Sequence, residues 1–134
     1  MERVIEICRR AMARGLLPHT NVGLLSRGSL DRLRHLDGAG ELSIPFTSGI
    51  LVGIGEEEAD RRTALEATAA SHLRHGHIQE VIVQNFVPKP GTPTADHAPP
   101  TLEVVRGAVE LARAILPDAV TIQTPPNLNL DHWP

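Results

Sequence analysis

Two side-chain amides end an apolar strand pattern: Gln84 and Asn85 follow Val81-Ile82-Val83. An amide carries both donors and acceptors, which is the complement of a heterocycle's polar edge. Neighbouring strand residues face opposite ways, so only one of the two can look into a shared pocket. The alternative is an amide that only caps loop backbone. A second stretch, FTSGILVGIGE from Phe46 to Glu56, runs an apolar strand (Ile50-Leu51-Val52) into two glycines and then three acids. A strand that enters a helix through a glycine turn sets backbone at the mouth of an α/β fold, where ligands bind. A dinucleotide GxGxxG loop needs glycine at 58, and Glu58 stands there. Acids at the positive end of the next helix would also compete with a phosphate. The pattern therefore suits an uncharged ring or a nucleoside, or else an ordinary strand-ending turn.

Other reactive residues are sparser. His19-Thr20-Asn21 lies just past a short strand pattern, Leu16 to His19. Lys89, the one lysine, is held between Pro88 and Pro90, either as an orienting cation or as a solvated side chain. His72 and His75 share a helix face, but His77 lies past Gly76 and no carboxylate completes a metal set. No GxSxG elbow supports a serine nucleophile. Nothing specific assigns acid–base work to Glu56 or Asp96. Cys8 is the single cysteine, so neither an internal disulfide nor a thiolate-held cluster follows from it.

Composition narrows the classes. The chain has 134 residues, enough for one domain with a real core. A formal charge of -3 leaves no basic footprint for nucleic acid, and 2% aromatics leave little for base stacking. No apolar run reaches membrane-span length and no signal-peptide pattern opens the chain, so a cytoplasmic location is the expectation.

The elements that must carry these residues alternate. Helical spacing over 2–14 leads to the short strand 16–19, then a helix from Ser26 to about His35 with Leu30, Leu33 and Leu36 inward. Asp37-Gly38-Ala39-Gly40 breaks the rhythm and is the least natural joint, because parallel strands need a crossover of about a dozen residues or more. After the central strand come a helix from Glu57 to His75 (Ala64, Leu65, Thr68, Ala69 and Leu73 inward) and a strand from Glu80 to Phe86. A proline-stiffened loop from Val87 to Pro100 precedes a Thr101-capped helix to Leu116 and a strand from Val120 to Gln123. That last helix turns Leu102, Val105, Val109, Ala112 and Ile115 inward. Strand–helix alternation predicts an α/β fold: a partial β/α barrel with about four parallel strands and flanking helices.

Gly49 to Glu56 fits a GxIxGxxE pattern, with Leu51 in the isoleucine place. With HTN at 19–21, GHIQEVIVQNFVPKPGTP from Gly76 and QTPPNLN from Gln123, the chain resembles the radical S-adenosylmethionine superfamily. Within it, the similarity is to the 7,8-didemethyl-8-hydroxy-5-deazariboflavin synthases, over nearly the whole chain. Biotin synthases look similar over the central strand and the GTP loop only.

The resemblance implies a radical S-adenosylmethionine barrel and a lyase that closes the deazaflavin ring in coenzyme biosynthesis. A 4Fe-4S cluster would cleave S-adenosylmethionine, and the 5′-deoxyadenosyl radical would abstract hydrogen from a hydroxybenzyl–ribitylaminouracil adduct made by a partner subunit. Gly49, Leu51, Gly53 and Glu56 would then bind cofactor, and His19, Asn21, Gln84 and Asn85 substrate. The sequence departs from the family in lacking CxxxCxxC, so no residue here is assigned to a metal. It also lacks a strand and a helix at the 37–40 joint, and so resembles a C-terminal part with an internal loss. The expected chain is thus one truncated barrel domain over 1–134, inactive alone. The alternatives are a noncatalytic nucleoside-binding or scaffold remnant, or a fragment of another radical S-adenosylmethionine enzyme such as a biotin-synthase-like protein.

Overall fold

The computed structural model describes residues 10, 13–14 and 27–126, with side chains in the first long helix described from residue 33. The expected strand at 16–19, with His19 and Asn21, and the QTPPNLN tail beyond 126 lie outside these residues. The elements are α1 (Arg27–Glu41), β1 (Phe46–Val52), α2 (Glu58–His75), β2 (Ile78–Asn85), α3 (Leu102–Ile115) and β3 (Thr121–Gln123). The three strands are parallel, in the order β1-β2-β3. Leu36 of α1, Leu65 of α2 and Leu111 of α3 share one core with the strands, so the described helices pack on one face of the sheet, as in a segment of a β/α barrel.

Strand alternation divides the sheet. Ile50 and Val52 on β1, Val81 and Val83 on β2 and Val120 join Leu36, Leu65, Leu111 and Ala112 in the helix-side core. An irregularity at Phe46/Thr47 skips Gln79, so Ile78 and Val81 both reach that core although their numbers differ by an odd step. The opposite face carries the cross-strand rows Thr47–Glu80–Thr121, Gly49–Ile82–Gln123 and Leu51–Gln84. Most of these are polar, and the helix-free face is therefore no second hydrophobic core.

α1 runs unbroken through Asp37-Gly38-Ala39-Gly40, which corrects the expected end near His35. Tertiary packing overrides the two glycines. Leu36 and Ala39 are buried, and a Cβ on Gly40 would lie 2.5 Å from the His75 ring. Asp37 accepts from Ser71 Oγ at 2.6 Å and from Arg74 at 2.6 and 2.9 Å. Burial alone would raise the Asp37 pKa, but Ser71 and Arg74 outweigh it and hold the carboxyl below its usual range.

α2 starts from a capping box in which Glu57 and Asp60 satisfy each other's backbone, and ends on Gly76 at φ 65°. α3 is capped by Thr101, whose hydroxyl accepts from Val104 N–H. The inward faces differ from the spacing reading in both helices. Leu73 is 76% exposed while Ser71 is buried; Leu102 is 51% exposed while Ala108 and Leu111 are buried. A sheet-facing stripe drifts around a 3.6-residue helix, so the outermost apolar residues of each series rotate off the sheet.

Candidate functional site

The loops at the carboxyl ends of β1 and β2 form one end of the sheet. β1 continues into Gly53 (φ 95°) and Gly55 (φ 104°), conformations that L side chains rarely adopt. Glu56 folds back onto this turn. Its carboxylate accepts from Gly53 N–H at 2.8 and 3.0 Å, from Ile54 N–H at 2.8 Å and from Arg61 at 2.7 Å. The Glu56 side chain is 3% exposed. Burial alone would raise its pKa; the Gly53 amide, Arg61 and the other backbone bonds reverse that and keep the carboxylate ionised. Glu56 thus shapes the turn with its own charge, and its oxygens do not face the open side.

Gly53 has a further constraint. A Cβ there would meet the Pro100 ring at 2.6–2.8 Å, so the glycine lets the proline loop close over the turn. A Cβ on Gly55 would meet nothing within 4 Å. The Gly53 and Ile54 amides are already bonded to Glu56, and Val52 C=O accepts from Phe86 N–H at 2.8 Å. Backbone in this turn therefore mostly holds the turn together.

Leu51 and Gln84 are direct partners in the β1–β2 register and share the helix-free face. Asn85 pairs with Val52 on the other parity and is 7% exposed. A cleft of about 270 Å³ opens beside the first pair, lined by Leu51, Gln84, Asn85, Phe86, Val87, Lys89, Thr92 and Thr94. Ligand sites usually hold about 300–1,000 Å³. The described cleft is at or just below the small end of that range. Gly49 sits one row deeper on the same face, beside Ile82.

The histidines are occupied structurally. His72 Nδ1 accepts from Ile78 N–H at 3.2 Å, and His77 Nε2 donates to Leu36 C=O at 3.0 Å. Burial pushes the His77 pKa down, so it stays neutral. Among the described residues no group of three or more His, Cys, Asp or Glu is placed to hold a metal. No helix among them is long and apolar enough to cross a membrane.

Of the outer wall, Thr92 lies in the GTP loop that the resemblance already singled out, whereas Thr94 belongs to no motif. The Pro90-Gly91 dipeptide, which makes a tight turn, is the signal that the loop doubles back.

No family model matches the chain, and no solved structure matches it. Curated relatives do match. A 7,8-didemethyl-8-hydroxy-5-deazariboflavin synthase from Methanococcoides burtonii is 44% identical over 160 positions, covering 96% of this chain and 48% of the relative. One of the same name from Methanosphaerula palustris is 44% identical over 155 positions, with 92% and 47% covered. The Archaeoglobus fulgidus relative, 42% identical, takes 166 positions to place all of this chain's 134 residues, so about 32 of those positions have no counterpart here. The chain spans about half the length of the curated relatives it matches. It is a homologue of the 7,8-didemethyl-8-hydroxy-5-deazariboflavin synthase family, matched along nearly all of its own length and about half of theirs.

Proposed function

We propose that this chain carries part of the nucleoside- and substrate-facing wall of a deazaflavin-forming radical lyase. One observation carries the reading: Leu51, inside the GxIxGxxE-like stretch, and Gln84, inside QNFVPKPGTP, meet as register partners beside an open cleft. Leu51 offers an apolar surface for a flat ring, and Gln84 an amide for the polar edge of the uracil-derived adduct. Gly49 leaves room beneath them. Glu56 and Gly53 act by holding the turn that frames Leu51, and Asn85 by anchoring the strand end. His19 and Asn21 are assigned to the same substrate from their motif alone.

The cleft's lining, uncharged apart from Lys89, fits the nucleoside half of S-adenosylmethionine, which when bound supplies the hydrogen-abstracting radical. The 4Fe-4S cluster does not fit this chain: three thiolates are needed, and the sequence holds only Cys8. No step is derived through the cluster, and the chain by itself is read as catalytically incomplete. The about 32 unmatched positions support an internal loss of roughly one strand–helix unit. The expected joint at 37–40 falls within α1, where Leu36, Asp37 and Gly40 meet His77, Ser71 and His75. A small-molecule adduct and a partner synthase subunit are the expected associates, with a cytoplasmic setting.

The test is a chimaera that supplies the absent segments from the Archaeoglobus fulgidus relative. Gln84→Ala should lower deazaflavin formation about fivefold, the loss of roughly one hydrogen bond, while S-adenosylmethionine cleavage persists. If Gln84→Ala is silent and Asn85→Ala blocks product formation without loss of stability, the facing of the site is refuted. A noncatalytic remnant is the second reading, favoured by the single cysteine, and it predicts a chimaera that folds but forms no product.

A further inference from the structure

The loop after β2 is bonded to itself and not to the sheet. Lys89 C=O accepts from Thr92 N–H at 3.3 Å and from Thr92 Oγ1 at 2.8 Å. Thr92 C=O accepts from Ala95 N–H and Thr94 C=O from His97 N–H, both at 3.1 Å. The Thr92 and Thr94 hydroxyls lie 3.4 Å apart. Among the described residues, no hydrogen bond or ion pair of residues 88–99 ends outside the loop. These turns, together with Pro88, Pro90 and Pro93, make a stiff body, and a stiff body held at its ends moves by pivoting. Two ring contacts join it to the strand ends. Pro100 closes on Gly53, where a Cβ would meet its ring at 2.6–2.8 Å, and this fixes the root next to α3. The other contact is between His97 and Phe86, with ring centroids 6.4 Å apart and an interplanar angle of 63°. Aromatic pairs meet edge to face at about 4.5–7 Å. Phe86 is the fixed partner: it is buried, and its N–H donates to Val52 C=O at 2.8 Å. His97 is exposed. The ring pair thus joins the two ends of the excursion 87–96, as at the neck of an Ω-loop, and that excursion carries Lys89, Thr92 and Thr94 of the cleft's outer wall.

We propose that His97 is a positioning residue: its ring contact with Phe86 holds the loop wall against the carboxyl ends of β1 and β2, and the cleft opens when that contact parts and residues 87–96 pivot. His97 does not line the cleft itself, so it acts through Phe86 and the wall, whatever ligand the cleft takes.

Relaxation dispersion on the whole chain detects such a pivot. Removing the ring in His97→Ala should raise the open population sensed by the Thr92, Thr94 and Ala95 amides about fivefold, the scale of one aromatic pair. His97→Phe, which keeps a ring, should stay near the parent. The turn bonds travel with the loop, so hydrogen exchange at Thr92 and Ala95 should be the same in all three chains. Incorporated 4-fluorophenylalanine gives two 19F signals, from Phe46 and Phe86, and only that of Phe86 should move in His97→Ala. An open population that does not rise in His97→Ala, or a His97→Phe chain that opens as far, overturns the assignment. Faster exchange at Thr92 and Ala95 in His97→Ala also overturns it, because that loop melts instead of pivoting. So does an unmoved Phe86 signal, which would mean that the two rings do not meet.

Discussion

Replacing Glu56 with alanine should loosen the β1–α2 turn more than any other single change to an acid in this chain. The carboxylate accepts two backbone N–H groups and the Arg61 guanidinium while 3% exposed. Removing it leaves two amides and a largely buried cation without partners; Arg61 Nε already has none. A single hydrogen bond to a charged group is worth about 1.5–3 kcal/mol. Breaking a buried ion pair from one side costs about 3–5 kcal/mol. Arg61 retains 13% exposure, and water can partly replace the carboxylate, so a loss of about 3 kcal/mol is expected. Glu56→Gln should cost less, because one amide oxygen still accepts while the amide nitrogen faces two donors. Urea titration reads the global loss, and hydrogen exchange at Gly53 and Ile54 reads the local one. In Glu56→Ala both amides should exchange at the rate of open loop. An unchanged urea midpoint with Gly53 and Ile54 still protected would refute the role given to this carboxylate.

Three further changes follow from the same structure. Gly53→Val places a branched side chain at φ 95° against the Pro100 ring and should cost about 3 kcal/mol or more. Gly55→Ala meets only the backbone penalty of about 1–2 kcal/mol, so equal urea midpoints for the two variants would argue against the closed proline loop. Gly40→Ala should destabilise the α1–α2 packing through the His75 ring, seen as a lower midpoint than for the open helical position Gly107→Ala, which should be neutral or stabilising. Acid should act in two windows. His77 is held below its ordinary 6.5, so the unfolded chain binds the extra proton and stability falls as pH drops beneath about 6.5. Glu56 and Asp37 are also depressed, and their contribution is lost as pH falls from their ordinary 4.5 and 3.8 toward the folded values. A flat melting temperature from pH 7.5 to 5.5, or an upper step that survives in His77→Gln, would contradict the first window.

Alternation in a strand is a rigid rule, so the opposite facing of Gln84 and Asn85 was legible from the sequence, and the register then pairs Gln84 with Leu51 and Asn85 with Val52. Of the three acids after Gly55, only Glu56 was singled out in advance, by the GxIxGxxE-like pattern and not by the turn it shapes. Glu56 turns back to the strand end, Glu57 caps the helix and Glu58 lies in solvent at 70% side-chain exposure, roles that depend on the path of the turn. Asp37 to Gly40 misled for a different reason. Two glycines in four residues weaken a helix by roughly 2 kcal/mol, and only the contacts with Ser71, Arg74 and His75 restore it. Those partners lie over 30 residues away, beyond the reach of local pattern. Leu73 and Leu102 show the same limit, since spacing gives a stripe but not the width of the neighbour it meets.

The most direct test is an amide map of this chain titrated with 5′-deoxyadenosine. If the helix-free face at the carboxyl ends of β1 and β2 is a nucleoside wall, saturable shifts should centre on Leu51, Gly55 and Gln84 to Val87. Amides of Ala67, Ala70 and Arg74, which line the separate groove between α1 and α2, should stay unmoved. Saturable shifts centred on that groove, or no saturable shifts at the strand ends, would contradict the assignment.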